Sequence, residues 1–105
     1  RIARDVFSAV GYCHAMGVVH CDLKPSNIVL TGPDWDTCNA KVIDFGLAAV
    51  FGDGEERVVR QTAGTRSYMA PEVAAHSPFG PPADVWSVGV CIYQLLCGEL
   101  PPARK

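Results

Sequence analysis

The chain has 105 residues, of which 49% are hydrophobic and 19% are charged, which fits one globular domain or a piece of a larger one. The net charge of −2 is too near neutral, and the charges are too evenly spread, for a nucleic-acid-binding or polybasic membrane surface. No apolar run approaches the roughly 20 residues of a membrane span, and no secretory leader is visible. Because the first residue is Arg and not Met, we expect the chain to be a fragment.

The cysteines predict a reducing environment. Their number is odd and their spacing is irregular, which argues against a disulfide framework. They are Cys13, Cys21, Cys38, Cys91 and Cys97. We therefore expect an intracellular, cytoplasmic protein.

The first quarter of the chain predicts a helix followed by a loop. Apolar residues recur at helical spacing over residues 1–16, and Gly17 is suited to end this helix because glycine adopts left-handed backbone angles readily. An extended stretch begins at Val18. Residues 20–27 are expected to form a loop, because Pro25 disfavours helix at the residue before it.

The next segment predicts a β-hairpin. Residues 28–30 and 40–43 are short β-prone runs, and the residues 31–39 between them carry Gly, Pro, Asp and Asn, which favour turns. Asp44 is expected just past the end of the second strand.

The second half of the chain predicts a long irregular segment and a buried helix. Residues 44–72 contain four glycines and show no sustained period, and residues 77–82 form a second Pro- and Gly-rich loop. A helix is predicted from Ala83 until just before Gly98. This helix is apolar almost all round, so we expect it to be buried on every side, and we expect the flanking sequence that would cover it to be missing.

Three short strings carry the chemistry of the sequence. They are His20-Cys21-Asp22-Leu23-Lys24-Pro25-Ser26-Asn27, Asp44-Phe45-Gly46 and Ala70-Pro71-Glu72. Their order and separation resemble the catalytic half of the eukaryotic protein kinase family, in which the first string is the catalytic loop, H-x-D-L-x-x-x-N. The resemblance covers essentially the whole chain. It implies an α+β fold: a mainly helical C-lobe fragment with a short β-hairpin and an activation segment, in which residues 1–105 form a partial kinase domain without the N-lobe and the last helices.

The residue types suit phosphoryl transfer, which depends on positioning and charge neutralisation. Asp22 lies in a loop, where it is free to accept the proton of a substrate hydroxyl, and Lys24 projects to the same side if the loop is extended. Asn27 and Asp44 offer oxygen ligands, which Mg²⁺ prefers. Because they flank the two strands of the hairpin, strand pairing is expected to bring them together.

The resemblance assigns a role to each of these residues. It implies that Asp22 is the catalytic base, that Lys24 contacts the γ-phosphate of ATP, and that Thr65 tethers Asp22 and Lys24. It also implies that Asn27 and Asp44 hold Mg²⁺.

The resemblance extends to residues around this site. It implies that Val29 and Ile43 lie near the nucleotide base, that His20 stacks near Phe45, and that Asp84 anchors the backbone of the catalytic loop. A plainer reading makes His20 a packed structural histidine and Asp84 a helix N-terminal residue favoured by the dipole.

The expected function is that of a serine/threonine protein kinase, which transfers the γ-phosphate of ATP to a Ser or Thr hydroxyl of a protein substrate. Lys24 and the string 64–72 resemble the serine/threonine branch, and residues 84–89 and 96–101 resemble its calcium/calmodulin-dependent-like group. The alternative is a non-catalytic kinase-like binding module. The intact set of Asp22, Lys24, Asn27 and Asp44 favours the enzyme. No nucleic acid partner and no membrane span are expected.

Two departures from the family pattern stand out. Cys21 replaces the arginine that, in the family, pairs with a phosphate on the activation segment, and a thiol cannot form that bidentate ion pair. We hypothesise that activation-segment phosphorylation is not needed for order here, with Thr62 as the nearest acceptor. The chain also has no G-x-G-x-x-G loop and no assignable strand Lys with a helix Glu partner, so we expect the isolated 105 residues to have little or no kinase activity.

Two further interpretations remain less favoured. Small-molecule phosphotransferases share H-x-D-x-x-x-x-N, but they lack Asp-Phe-Gly followed by Ala-Pro-Glu. A metal site made by Cys13, His14, His20 and Cys21 lacks the C-x₂-C pairing of zinc sites.

Overall fold

The computed structural model describes residues 2–34 and 38–102, so the predictions at residues 1, 35–37 and 103–105 lie outside the described residues. The elements in chain order are α1 (Ile2–Ala15), β1 (Val18–Val19), β2 (Ile28–Leu30), β3 (Ala40–Val42), β4 (Ala49–Val50), α2 (Pro71–Ala74) and α3 (Pro81–Cys97), with 3₁₀ turns at Pro25–Asn27 and Arg66–Tyr68. The described architecture is a set of helices with small antiparallel sheets.

Helix α1 forms where the sequence predicts it, and its apolar face is buried. Ile2, Val6 and Val10 recur at helical spacing and are buried on that face. The helix ends before Gly17, whose φ of +81° lies in the left-handed region. A side chain at this position would also collide with the carbonyl of Phe51, so the chain requires glycine here.

The predicted hairpin is present. Strands β2 and β3 pair antiparallel, with Ile28 opposite Val42 and Val29 opposite Lys41. Because side chains alternate along a strand, Ile28 and Val42 face the interior and pack on the core, whereas Val29 points outward. The turn between the strands falls partly on residues 35–37, outside the described part of the chain.

A second pairing was not predicted from the sequence. Strands β1 and β4 pair antiparallel, with Val18 opposite Val50, and the amide of Phe51 donates to the carbonyl of Gly17 at 2.7 Å. Two-residue strands are too short to show an alternating pattern, so periodicity does not reveal them. The pairing ties the start of the segment after Asp44 to the end of α1.

The segment 44–72 is mostly irregular, but it also contains the 3₁₀ turn at Arg66–Tyr68 and the first residues of α2. Helix α3 begins at Pro81, two residues before the predicted start at Ala83. Proline is favoured in the first turn of a helix, where its missing N–H is not needed. The helix ends at Cys97, and Gly98 follows with φ +77°, as predicted.

The described chain buries only part of α3, in agreement with the expectation that this chain offers little to surround the helix. Val88 and Cys91 are fully buried, because α3 packs against α1 and against the 3₁₀ turn at Arg66–Tyr68, whereas Leu96 is 81% exposed. The elements that the structure describes cover one face of α3, so its opposite face stays exposed. Within residues 2–34 and 38–102, none of the helices combines the length and apolar character that crossing a membrane requires.

Two apolar clusters hold the elements together. The larger lies between α1, the hairpin and α3, and the smaller lies where α2 meets the start of α3. The larger comprises Ile2, Val6, Val10, Leu23, Cys38, Ala40 and Val88, and the smaller comprises Ala70, Val73, Phe79 and Ala83. Leu23 is the residue that links the loop 20–27 to the larger cluster, so burial of its side chain fixes the loop against the core.

Candidate functional site

The loop 20–27 is anchored on one buried carboxylate. Asp84, near the start of α3, is 2% exposed. One of its oxygens accepts the backbone N–H of His20 at 2.7 Å and the other accepts that of Cys21 at 3.0 Å. The ring Nε2–H of His14 donates to the first of these oxygens at 2.9 Å. A buried carboxylate requires such donors, so Asp84 and the loop backbone stabilise each other.

The loop turns sharply at Cys21. Its φ of +73° lies in the left-handed region, which costs free energy for a residue other than glycine, and the bonds to Asp84 hold it there. Burial raises the pKa of the Cys21 thiol to about 11, and the negative charge of Asp84 acts in the same direction. The thiol donates to the carbonyl of Val19 at 3.4 Å. Cys21 is therefore a packed, protonated thiol at neutral pH.

Asp22, Lys24 and Thr65 form one hydrogen-bonded group. The Thr65 hydroxyl donates to Asp22 Oδ1 at 2.8 Å and accepts from Lys24 Nζ at 2.9 Å. Lys24 Nζ also lies 3.7 Å from Asp22 Oδ2. The hydroxyl thus lies between a carboxylate and an ammonium group, and it fixes their separation while Asp22 keeps its second oxygen for another partner.

Gly64 allows Thr65 to reach this position. Its φ is +109°, and a Cβ built on it would lie 2.5 Å from the Cys21 carbonyl oxygen. The backbone at residue 64 therefore packs directly on the loop 20–27, at a distance that only glycine permits.

Asn27 and Asp44 are brought close by the backbone. Ile43 donates its N–H to the carbonyl of Asn27 at 2.9 Å, which extends the β2–β3 pairing by one step and leaves Asp44 as the next residue. Asn27 is buried, and its Nδ2 donates to the carbonyl of Asp22 at 2.8 Å. Asn27 is therefore joined to the backbone of Asp22 through its side chain, and to the residue before Asp44 through its own carbonyl.

The Asp44 side chain is exposed. Its φ is +59°, and its Oδ1 accepts the N–H of Gly46 in a long bond of 3.3 Å. Among the residues that the structure describes, no hydrogen bond joins the Asp44 carboxylate to Asp22, Lys24 or Asn27.

His20 connects the first string, residues 20–27, to the start of the second string at Asp44-Phe45-Gly46. Its ring packs against that of Phe45, with centroids 4.7 Å apart. Nε2 lies 2.9 Å from the carbonyl oxygen of Ile43, and Nδ1 accepts the N–H of Asp22 at 3.1 Å. Because a carbonyl only accepts, these partners assign the proton to Nε2. His20 therefore has the packed structural role of the plainer reading, and it also joins the loop to residues 43–45.

Val29 and Ile43 lie on the outward face of the hairpin. They are 44% and 41% exposed, although both are large and apolar. Alternation along the strands places them on the face opposite the core, together with Lys41. They form a small exposed apolar surface beside Asn27 and Asp44.

The four-residue metal site considered from the sequence finds no support. Across the described ranges 2–34 and 38–102, no three His, Cys, Asp or Glu side chains gather as a metal-binding group. His14 and His20 instead use their ring nitrogens for Asp84 and for the loop backbone.

Sequence reasoning missed three contacts near the site. His14 was considered only as a metal ligand, yet it binds Asp84, 70 residues away. The Tyr68 hydroxyl donates to Gln94 Oε1 at 2.7 Å, and the Thr62 hydroxyl lies 2.8 Å from His76 Nδ1. No local pattern signals such long-range pairs, because each depends on how distant segments pack.

Comparisons with known proteins identify the family of the chain. The family model of the protein kinase domain matches residues 1–105. The chain is 45% identical over 101 residues to an SNF1-related protein kinase catalytic subunit alpha of Arabidopsis thaliana, covering 96% of this chain and 19% of that protein. It is 40% identical over 104 residues to a calcium/calmodulin-dependent protein kinase of Emericella nidulans, covering 99% of this chain and 26% of that protein.

A third relative gives the same result. The chain is 44% identical over 101 residues to a probable myosin light chain kinase of Dictyostelium discoideum, covering 96% of this chain and 31% of that protein. The chain thus spans about a fifth to a third of the length of these relatives. Because the family model matches from the first residue to the last, the chain belongs to the protein kinase family.

Proposed function

We propose that the full-length protein that carries this chain is a serine/threonine protein kinase, which transfers the γ-phosphate of ATP to a Ser or Thr hydroxyl of a protein substrate. The observation that carries the proposal is the Thr65 hydroxyl held between Asp22 and Lys24. A base and a cation fixed a few ångströms apart are what in-line phosphoryl transfer requires of a protein.

Asp22 acts as the base in this proposal. Thr65 binds its Oδ1, so Oδ2 is the oxygen that accepts a proton from the substrate hydroxyl as the new O–P bond forms and the bond from the γ-phosphorus to the bridging oxygen of ATP breaks. Lys24 lies close enough to offset the negative charge of the transferred phosphoryl group. Both side chains are part-buried, which strengthens these electrostatic effects.

Asn27 and Asp44 fit a Mg²⁺ ion by the chemistry of their donors. Because Nδ2 of Asn27 is bound to the Asp22 carbonyl, its Oδ1 is left as an oxygen donor. The exposed Asp44 carboxylate has one long hydrogen bond and therefore keeps most of its acceptor capacity. Hard oxygen donors of this kind suit Mg²⁺, which when bound would neutralise charge on the ATP phosphates.

The exposed apolar side chains of Val29 and Ile43 support a nucleotide-binding surface. Exposed apolar residues beside polar ligands are typical of a small-molecule site. In this proposal they contact the base of ATP, and they lie on the side of the hairpin that continues towards Asp44.

The finer domain assignment follows from the same proposal. We assign residues 20–27 as the catalytic loop and residues 44–72 as the activation segment of a kinase C-lobe, with other parts of the domain on the full-length protein. Cys21 cannot form an ion pair with a phosphate, so the hypothesis of order without activation-segment phosphorylation stands. Loss of most activity in Thr62→Ala, with rescue by an acidic residue, would contradict it.

The second candidate is a non-catalytic kinase-like binding module. The complete set of Asp22, Lys24, Asn27 and Asp44 favours the enzyme, because a binding module has no need of all four.

We also propose an intracellular protein, in agreement with its free cysteines. The similarity to a calcium/calmodulin-dependent kinase supports that group as the subgroup.

A transfer assay tests the proposal. The full-length protein is incubated with γ-labelled ATP, Mg²⁺ and peptide libraries in which the acceptor is Ser, Thr or Tyr. We expect Mg²⁺-dependent labelling of the Ser and Thr libraries and little labelling of the Tyr library. Binding of Mg²⁺–ATP without any transfer would favour the binding module. Robust transfer by the isolated 105 residues would overturn the expectation that this piece alone is inactive.

A further inference from the structure

His76 is strained and has a specific partner. It follows α2 with φ +61°, a conformation that is unfavourable for a residue with a side chain. The turn is a helix end of the Schellman type: His76 N–H donates to the carbonyl of Val73 at 3.0 Å, and Ser77 N–H donates to that of Glu72 at 2.9 Å. Glycine is the residue that this position favours on local grounds, so the imidazole requires a reason beyond the helix end.

The partner of the imidazole is the hydroxyl of Thr62. The Thr62 Oγ1 atom lies 2.8 Å from His76 Nδ1. A hydroxyl both donates and accepts, so the bond forms whether or not Nδ1 carries a proton. Among the described residues, Thr62 is the one side chain of residues 60–64 that hydrogen-bonds outside this stretch.

Residues 60–64 lie between two attachments to the rest of the protein, and the downstream attachment is next to Asp22. Upstream, Val59 pairs with Phe79 through two backbone hydrogen bonds of 2.6 and 2.9 Å. Downstream, Gly64 packs on the Cys21 carbonyl, and Thr65 binds Asp22. The Thr62 contact lies between these two attachments, three residues after Val59 and three residues before Thr65.

We infer that His76 is a positioning residue for phosphoryl transfer, acting through Thr62 to hold residues 60–64 so that the Thr65 hydroxyl stays between Asp22 and Lys24. The inference rests on the proposed kinase function. It explains why a strained histidine ends α2 where glycine is favoured. The contact needs no phosphate, which agrees with Cys21 standing where an arginine would bind one.

The test separates this role from a structural one, because the two predict different kcat values for His76→Gly. Glycine relieves the strain and keeps the backbone of the turn, so a merely structural His76 predicts equal or higher melting temperature and unchanged activity. If His76 is a positioning residue, the melting temperature is again expected to be equal or higher, but kcat is expected to fall about three- to fivefold. This loss corresponds to the free energy of one exposed hydrogen bond. KM for ATP is expected to stay unchanged.

Conservative variants provide the rescue. In His76→Asn, the amide oxygen stands where Nδ1 stands and asparagine tolerates positive φ, so kcat is expected to be retained. Thr62→Ser keeps the hydroxyl and is expected to retain kcat. Thr62→Val lacks the hydroxyl and is expected to show the lower kcat. His76→Gly combined with Thr62→Val should show no further loss than either alone. Ser77→Ala, an exposed neighbour, is the matched control.

Amide hydrogen exchange of the full-length protein gives a readout that does not depend on catalysis. We expect faster exchange at residues 62–65 in His76→Gly and Thr62→Val, and wild-type exchange in His76→Asn. Unchanged kcat and exchange in His76→Gly, or losses that add in the double variant, would overturn the inference. If the wild-type protein proves inactive, the proposed function fails. Exchange then still decides whether His76 positions residues 60–64.

Discussion

The two halves of the candidate site are held in different ways. Around Asp22, side chains bind one another: Thr65 bridges to Lys24, and the loop backbone is fixed by Asp84. Around Asp44, the backbone does the positioning, and the carboxylate is exposed with one long hydrogen bond. In the proposed kinase, the half that would accept a proton is therefore preorganised by the protein, whereas the half that would meet Mg²⁺–ATP keeps its donors open. This difference is what a site that binds its metal together with a nucleotide requires.

The largest effect is expected in the preorganised half. Asp22→Asn keeps the size of the side chain and removes the base, so kcat of the full-length protein should fall by about 10²- to 10⁴-fold. Steady-state transfer to a Ser/Thr peptide measures this, with ATP binding as the control that should change little. A kcat within threefold of wild type would exclude Asp22 as the base.

The second prediction concerns the anchor of this half. Asp84→Ala removes the acceptor of two backbone N–H groups and of His14, and it leaves these buried or part-buried donors without a partner. We expect the free energy of unfolding to fall by roughly 2–4 kcal/mol, as measured by urea denaturation. The exposed Asp53→Ala is the matched control. Equal stability of the two variants would show that the loop does not depend on Asp84.

A smaller effect is expected at the bridge. Thr65→Val keeps the shape but loses both hydrogen bonds to charged partners, so kcat should fall by about 10-fold or somewhat more. Thr65→Ser retains the hydroxyl and should retain most of the activity. If Thr65→Ser loses as much as Thr65→Val, the methyl group and its packing matter more than the bridge.

The last prediction concerns the reactivity of the Cys21 thiol. A pKa of about 11 leaves about one thiol in a thousand ionised at pH 8, so iodoacetamide should label Cys21 at least tenfold more slowly in the folded protein than in urea. Because the pKa is raised, the labelling rate should keep rising as the pH increases towards 11. Peptide mass spectrometry follows the labelling. Rapid labelling of Cys21 in the folded protein would show that the thiol is not packed.

The sequence predicted the elements whose signals are local. Helix α1 with its glycine end, the β2–β3 hairpin and the residue types of the site are all visible as periods, turns and short strings. The sequence missed features that arise from packing between distant segments. Strand β4 is too short to show a pattern, and the contact of Thr62 with His76 joins two exposed residues that have no common motif.

Helix α3 shows that a local pattern predicts a helix but not what covers it. Its apolar character predicts burial on all sides, but burial depends on how much surrounding protein is present, and Leu96 is 81% exposed in the described chain. The proposed roles of Asn27 and Asp44 depend in the same way on groups outside the described chain. Their donor chemistry is visible in the sequence, and their proposed use would depend on a nucleotide and a metal.

The central claim is that Asp44 and Asn27 hold Mg²⁺ with ATP beside Asp22, and calorimetric ATP binding tests it most directly. In the full-length protein we expect Mg²⁺ to tighten ATP binding, and Asp44→Asn to abolish this tightening while leaving metal-free ATP binding unchanged. Equal Mg²⁺-dependent tightening in the wild type and in Asp44→Asn would contradict the account.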